Sequence, residues 1–156
     1  MLKSKIYLDT SVISHLHQLD APDMMDDTLA LWEQIKHGYY DVYISDVGIN
    51  EIMDNAEPKL SILLKYLDEI DFTLLTADDE VRAYADKMVE EGILTQKRYD
   101  DCLHVGCAVA NQCHMILSWN FKHMVRVKTV NGVRSINSML GYHGIDIYPP
   151  SMIIER

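Results

Sequence analysis

Short runs of apolar residues alternate along the chain with longer segments of helical spacing. The apolar runs lie at residues 5–8, 42–44, 72–75, 115–117 and 145–148. Each run is short enough to be a strand buried on both faces, as in a parallel sheet. The alternation of strands with helices therefore predicts an α/β domain whose mostly parallel central sheet has about five strands and is flanked by helices.

Four of the intervening segments have the apolar period of a helix that packs against a core. They lie at residues 29–35, 62–67, 83–90 and 105–109. The third is expected to end near Gly92, because glycine commonly terminates helices. Each of these helices separates two predicted strands, which is the arrangement of a parallel sheet.

Length and composition indicate one domain over residues 1–156. A chain of 156 residues with 48% hydrophobic and 24% charged residues is ordinary for a globular protein, and it contains no repeat or low-complexity linker. There is no apolar run of the ~18 residues that a membrane span needs. An odd number of cysteines, three, and the lack of an export signal favour free buried thiols in a cytoplasmic protein.

Charge is distributed unevenly along the chain. The net charge of −10 excludes a polybasic nucleic-acid coat protein but leaves room for a local binding patch. Residues 41–80 hold eleven acidic and two basic side chains, whereas residues 97–134 hold six basic and two acidic ones. The basic stretch is either a solvated face or a surface for an anionic partner.

Oxygen-bearing side chains follow the predicted strands at the points where the strands end. Asp9 follows the first strand, Glu51 lies one to two turns into the helix after the second, and Asn120 follows the fourth. Asp101 opens the helix that precedes the fourth strand. Because ligands bind outside the carboxyl ends of parallel strands, these side chains are expected to meet at one edge of the sheet.

Each acid also has a purely structural interpretation. Asp9 is placed to cap the following helix, Glu51 to be a solvated helix residue, and Asp101 to favour a helix first turn. Asp100 serves that last role equally well, so one of these two acids belongs to the helix start and the other is left without a structural reason. Clustered carboxylates repel unless a cation neutralises them, and an oxygen-only set suits Mg²⁺ or Mn²⁺. Such a site predicts metal-dependent hydrolysis of phosphodiesters.

Four segments resemble the PIN-domain nucleases, in particular the VapC-like toxins. They are residues 6–11 (IYLDTS), Ser45 with Glu51 six positions later, residues 101–108 (DCLHVGCA) and residues 117–123 (LSWNFKH). The order and spacing agree over roughly residues 5–148. The resemblance implies a three-layer PIN-like fold, an acidic Mg²⁺ or Mn²⁺ pocket and cleavage of single-stranded RNA.

The resemblance places the catalytic and metal-binding acids at Asp9, Glu51 and Asp101. Asn120 stands where many members have a fourth acid, and it is expected either to supply a neutral oxygen ligand or simply to hydrogen-bond a loop.

Other polar residues are expected to support that site. Thr10 and Ser11, which directly follow Asp9, are expected to hold its carboxylate or the waters of an ion. His104 is expected to support Asp101, because it lies one helical turn after that residue. The candidate RNA-binding residues come from the basic stretch, and they are Lys122, His123, Arg126 and Lys128. For His123 a capping or surface role is an equal alternative.

Two classes of function therefore stay open. The first is a metal-dependent endoribonuclease that serves as the toxin of a toxin–antitoxin pair. Its expected partners are single-stranded RNA, a small antitoxin protein and a second copy of the chain, and no membrane association is expected. The second is a catalytically weak PIN-like module that binds RNA or protein, which Asn120 and the net charge of −10 favour.

Overall fold

A computed structural model describes residues 2–155 and confirms the predicted α/β architecture. Five strands form one sheet: β1 (Ser4–Leu8), β2 (Tyr40–Ser45), β3 (Thr73–Leu75), β4 (Met115–Leu117) and β5 (Asp146–Tyr148). Their order across the sheet is β3-β2-β1-β4-β5, and every neighbouring pair is parallel. The chain moves outward from β1 to β3 and then returns to the other side of β1, so the direction of winding reverses beside β1. A crevice is expected at the carboxyl ends of the strands at such a point.

Helices cover both faces of the sheet. In the described residues they are α1 (Thr10–Ser14), α2 (Pro22–Lys36), α3 (Asp46–Met53), α4 (Lys59–Leu67), α5 (Asp79–Glu90), α6 (Tyr99–Ala110) and α7 (Val127–Leu140). Strand β1 divides its side chains between two apolar cores, as the two-residue period of a strand requires. Tyr7 enters the core built largely by α5, α6 and α7, while Ile6 and Leu8 enter the core built largely by α1 to α4. The result is the predicted three-layer arrangement.

Side-chain caps and one close approach set the helices that carry the site. Helix α3 begins at Ser45, whose Oγ accepts a hydrogen bond from the Gly48 N–H at 3.2 Å. Helix α6 packs tightly on α5 because Gly106 has no side chain. A Cβ at that position would lie 2.9 Å from the Val81 carbonyl oxygen. This close approach fixes the position of α6, and with it the first turn that bears Asp101.

The structure adds one element and corrects one prediction. The hydrophobic pattern did not predict α7, because the stretch from residue 122 to residue 134 was interpreted only as a basic surface. The apolar face of α7, including Val133 and Ile136, is buried against the sheet core. Strand β3 is not buried on both faces, because it is an edge strand: Leu74 is 57% exposed.

Other expectations hold. Helix α5 ends at Glu90, and Gly92 follows with a φ of +71°, as expected for a glycine after a helix end. The three cysteines are buried and unpaired. Within residues 2–155, no helix has the length and apolar character needed to cross a bilayer.

Candidate functional site

Asp9 lies at the carboxyl end of the central strand, where it is only 3% exposed. It caps α1, since its Oδ1 accepts from the Val12 N–H at 3.3 Å, and the same oxygen accepts from Ser11 Oγ at 2.5 Å. Burial raises the pKa of Asp9, against the opposing effects of His104 and of the Ser11 hydrogen bond. The Asp9 carboxylate thus caps α1 and at the same time interacts electrostatically with His104 and Asp101.

Glu51 is held from two other elements. Its Oε1 accepts from Thr10 Oγ1 at 2.8 Å and lies 2.6 Å from His104 Nε2. Burial raises the pKa of Glu51, but the hydrogen bond and charge of His104 outweigh it, so the pKa is lowered. For His104, burial lowers the pKa and the carboxylates more than compensate, so the pKa is raised. The two groups therefore stabilise each other's charged form.

Tyr7 orients His104 from within the sheet. Its hydroxyl lies 2.5 Å from His104 Nδ1 and 2.7 Å from Ser45 Oγ, and all three side chains are buried. Burial raises the pKa of Tyr7 well above its usual value, so the phenol stays neutral. Tyr7 was not predicted from the sequence, where its only signal is a hydroxyl in the middle of an apolar strand.

Asp101 lies in the first turn of α6 and is half-buried. Burial is the main cause that raises its pKa to about 6; His104 opposes this, and the charges of Asp9 and Glu51 add to it. The three predicted acids therefore act on one another electrostatically, although they come from three separate elements.

Asp100 differs from its neighbour, because its side chain is exposed. It does not cap α6: the residue at the cap position is Arg98, whose side chain makes no capping hydrogen bond. Asp100 does lie in the helix first turn, as its assignment to the helix start predicts. Its carboxylate contributes only an acidic charge in the helix first turn.

The donor chemistry of the site fits a hard divalent cation. Asp9, Glu51 and Asp101 are oxygen ligands whose mutual repulsion a cation would relieve. A finished coordination shell is not preassembled: in residues 2–155 no group of three or more His, Cys, Asp and Glu side chains is gathered closely enough to hold an ion. The Oε1 atom of Glu51 is already engaged by His104, so ion binding requires that side chain to rearrange or to use its other oxygen.

Asn120 organises the loop that follows β4. Its Oδ1 accepts from the His123 N–H at 2.9 Å, and its own N–H donates to Ser118 Oγ at 3.0 Å. This is the loop role that the sequence allowed beside the metal role. The Ser118 side chain also contributes to the hydrogen bonding of Asp9, which links the Asn120 loop to the acidic site.

The four predicted basic residues, called the basic group below, lie in that loop and in the first turn of α7, and two of them, Lys122 and Arg126, act electrostatically on His123. Lys122 and Lys128 are exposed, whereas His123 and Arg126 are half-buried. Burial lowers the pKa of His123, and the charges of Arg98, Lys122 and Arg126 lower it further. Arg98 also acts on Asp101, so it joins the basic group to the acidic site. Arg98 was not predicted as a site residue, although it lies about one helical turn before Asp101.

No protein-family model and no curated protein sequence matches the chain. Among solved structures, it is similar to the crystal structure of VapBC2 from Rickettsia felis bound to a DNA fragment from its promoter. The TM-score is 0.54 at 14% sequence identity, over 76% of this chain and 89% of that chain. At such a low identity, the structural similarity is evidence of the fold alone. It confirms the predicted PIN-like fold.

Proposed function

We propose that the protein is a metal-dependent endoribonuclease that cleaves single-stranded RNA in the cytoplasm. The observation that supports this most directly is that Asp9, at the carboxyl end of β1, and Glu51 both act electrostatically on Asp101 in a PIN-like fold. The pKa of Asp101, raised to about 6 mainly by burial and further by Asp9 and Glu51, indicates a carboxylate cluster whose charge His104 offsets only in part. Phosphodiester hydrolysis is the chemistry that such a cluster supports.

The residues proposed to hold Mg²⁺ or Mn²⁺ are Asp9, Glu51 and Asp101. When bound, such an ion polarises a phosphoryl oxygen and lowers the pKa of a coordinated water. Ser11 holds the Asp9 carboxylate in place at 2.5 Å, and Thr10 holds Glu51 at 2.8 Å. These hydroxyls fix the acids before substrate arrives, which reduces the reorganisation that catalysis would otherwise require.

The substrate backbone is proposed to lie along the basic group. A net charge of −10 disfavours diffuse attraction of RNA, so binding depends on a local cluster of cations. Lys122, His123, Arg126 and Lys128 form that cluster in the proposal, and Arg98 extends it to the edge of the acidic site.

The proposed biological setting is a toxin–antitoxin pair. The similar structure from Rickettsia felis is a VapBC2 complex, which supports a small antitoxin protein as a partner of this chain. A second copy of the chain is a further proposed partner. Both assignments extend the likeness in fold to a likeness in assembly.

A catalytically weak RNA- or protein-binding module is the second candidate. It is favoured by Asn120, whose amide oxygen is occupied by the His123 N–H at 2.9 Å, and by the hydrogen bond of Glu51 to His104. In such a module the basic group would bind RNA while the acids would lack a productive ion.

The test is cleavage of a mixed pool of single-stranded RNA with and without Mn²⁺, together with titration calorimetry of Mn²⁺ binding. The wild type is expected to cleave only with the ion, and Asp9→Asn is expected to lose cleavage and bind Mn²⁺ more weakly. Asp100→Asn is the matched control, because it removes an exposed carboxylate next to the site and should do neither. Equal Mn²⁺ affinity in wild type and Asp9→Asn would refute the metal assignment, and RNA binding without cleavage would favour the second candidate.

A further inference from the structure

An exposed aromatic ring lies in the loop that Asn120 organises. Phe121 is 52% exposed, although it follows the buried Trp119 by only two positions. Its ring lies against that of Trp119, with 6.2 Å between centroids and 58° between planes. Single exposed apolar side chains are common on protein surfaces, so exposure alone is no sign of a binding role. Phe121 differs from the others because the residue it packs on is hydrogen-bonded to Ser11, which in turn holds Asp9.

The ring that supports Phe121 is held rigidly. Trp119 is 7% exposed, and its Nε1–H donates to Thr28 Oγ1 at 2.8 Å. Its backbone N–H donates to Ser11 Oγ at 2.9 Å, and that hydroxyl in turn donates to Asp9 Oδ1 at 2.5 Å. Phe121 therefore rests on a residue that the Ser11 hydroxyl links to the Asp9 carboxylate.

The surroundings of the ring are cationic in a protein that is acidic overall. Lys122 is adjacent and exposed, and Arg126 and Arg98 act on the nearby His123. The sequence has no acidic residue from position 102 to position 145. A ligand that presents both a flat π face and a negative charge is complementary to such a surface, and a nucleotide has both.

We propose that Phe121 is a stacking platform for one base of the single-stranded RNA, next to the phosphate that the acidic site receives. This inference rests on the proposed function and adds a positioning residue to it. Stacking on an exposed ring tolerates every base, because each base has a π face. The platform would therefore set where the strand lies relative to Asp9 without reading its sequence.

The test compares Phe121→Leu, which keeps apolar bulk but loses the ring, with Phe121→Trp, which keeps a ring. Binding is measured by anisotropy of a fluorescein-labelled, randomised single-stranded RNA with Mn²⁺, in an Asp101→Asn background in which cleavage is expected to be lost. Phe121→Leu should weaken binding by about 5- to 150-fold and Phe121→Trp should not. Tyr39→Leu is the matched control, because Tyr39 is also 52% exposed but precedes β2, at the amino end of the strands and away from the site.

A second measurement isolates the base. A series of RNAs of one sequence is made, each with an abasic site at a different position. Removal of the base at one position should weaken RNA binding by the protein that keeps Phe121 and should not change RNA binding by the Phe121→Leu variant. Equal RNA affinity of Phe121→Leu and its parent would overturn the platform, and would assign the exposed ring to a protein partner instead. Mn²⁺-dependent cleavage by the wild-type chain would then still support the proposed function. Failure of the Asp101→Asn and wild-type proteins to bind any RNA would overturn both.

Discussion

Glu51 Oε1 lies 2.6 Å from His104 Nε2, and this contact joins α3 to α6 beside the carboxylate cluster. The contact has a double effect on the site. It stabilises the ionised form of Glu51, and it places the cationic form of a buried histidine where it partly offsets the charges of Asp9 and Asp101. In the metal-free protein, His104 thus neutralises part of the carboxylate charge that a bound cation would neutralise.

This pair predicts a bell-shaped contribution to stability. The lowered pKa of Glu51 stabilises the fold above its ordinary value of 4.5, and this is lost as the pH falls through the folded-state pKa. The raised pKa of His104 stabilises the fold below its ordinary value of 6.5, and this is lost as the pH rises through the folded-state pKa. The stability lost in Glu51→Gln should therefore be greatest between pH 4.5 and 6.5 in urea unfolding without metal. A loss that is constant from pH 4 to pH 9 would contradict a charged pair.

Tyr7→Phe should destabilise the protein by roughly 1–3 kcal/mol, because it leaves His104 Nδ1 buried without its partner at 2.5 Å. The same change should free the imidazole to turn and so alter Mn²⁺ affinity, although Tyr7 is not among the proposed ligands of the ion. Urea unfolding and titration calorimetry measure the two effects. Tyr84→Phe is the matched control, because it removes another buried hydroxyl, bonded to Asn137 at 2.6 Å, and should affect stability alone.

The carboxylate cluster should make the metal-free protein more stable when Asp101 is neutral. Because its pKa is raised from 3.8 to about 6, the folded wild type loses stability as the pH rises through this window. Asp101→Asn should therefore melt at a higher temperature than wild type above pH 6, and the difference should vanish below pH 4. Asp100→Asn removes an exposed charge from the same helix turn and should instead cost about 0.3–1 kcal/mol through the helix dipole. The same pH profile in both variants would show that Asp101 is not in the cluster.

RNA binding should depend on the basic group in a salt-sensitive way. Replacing Lys122, Arg126 and Lys128 with Ala should flatten the slope of log affinity against log salt by about 0.7 for each phosphate that the protein no longer neutralises. The control replaces Lys3 and Lys65, which are exposed on other parts of the surface and should leave the slope unchanged. Circular dichroism of each variant checks that the fold is retained. A slope that is unchanged in the triple variant would place the RNA elsewhere.

The fold and the position of Asp9 were predictable because both follow from local patterns. Five apolar runs specify the strands, and Asp9 must lie at the carboxyl end of β1 because it is the next residue in the chain. The choice of Asp101 over Asp100 came from the resemblance to the PIN-domain nucleases, because helix geometry shows only that the two side chains point in different directions.

Contacts between distant segments were not predictable in the same way. The hydroxyl of Tyr7 gains its role only when residues 97 positions apart in sequence come together, and nothing in the local pattern marks it. Helix α7 was not predicted for a different reason. The basic stretch was interpreted only as a charged surface, whereas residues 127–140 bury an apolar face against the core.

Asn120 stands where the resemblance implies a fourth carboxylate, and its replacement tests whether the loop serves the ion. Its Oδ1 accepts the His123 N–H at 2.9 Å, and an aspartate has an oxygen in the same position, so Asn120→Asp should preserve the loop. If the loop faces the proposed ion, the added charge should lower the Mn²⁺ concentration that gives half-maximal RNA cleavage. Asn120→Ala removes the loop bond and is the control for a structural effect. A half-saturating concentration in Asn120→Asp equal to or above that of wild type, with the fold intact, would mean that the residue serves the loop alone.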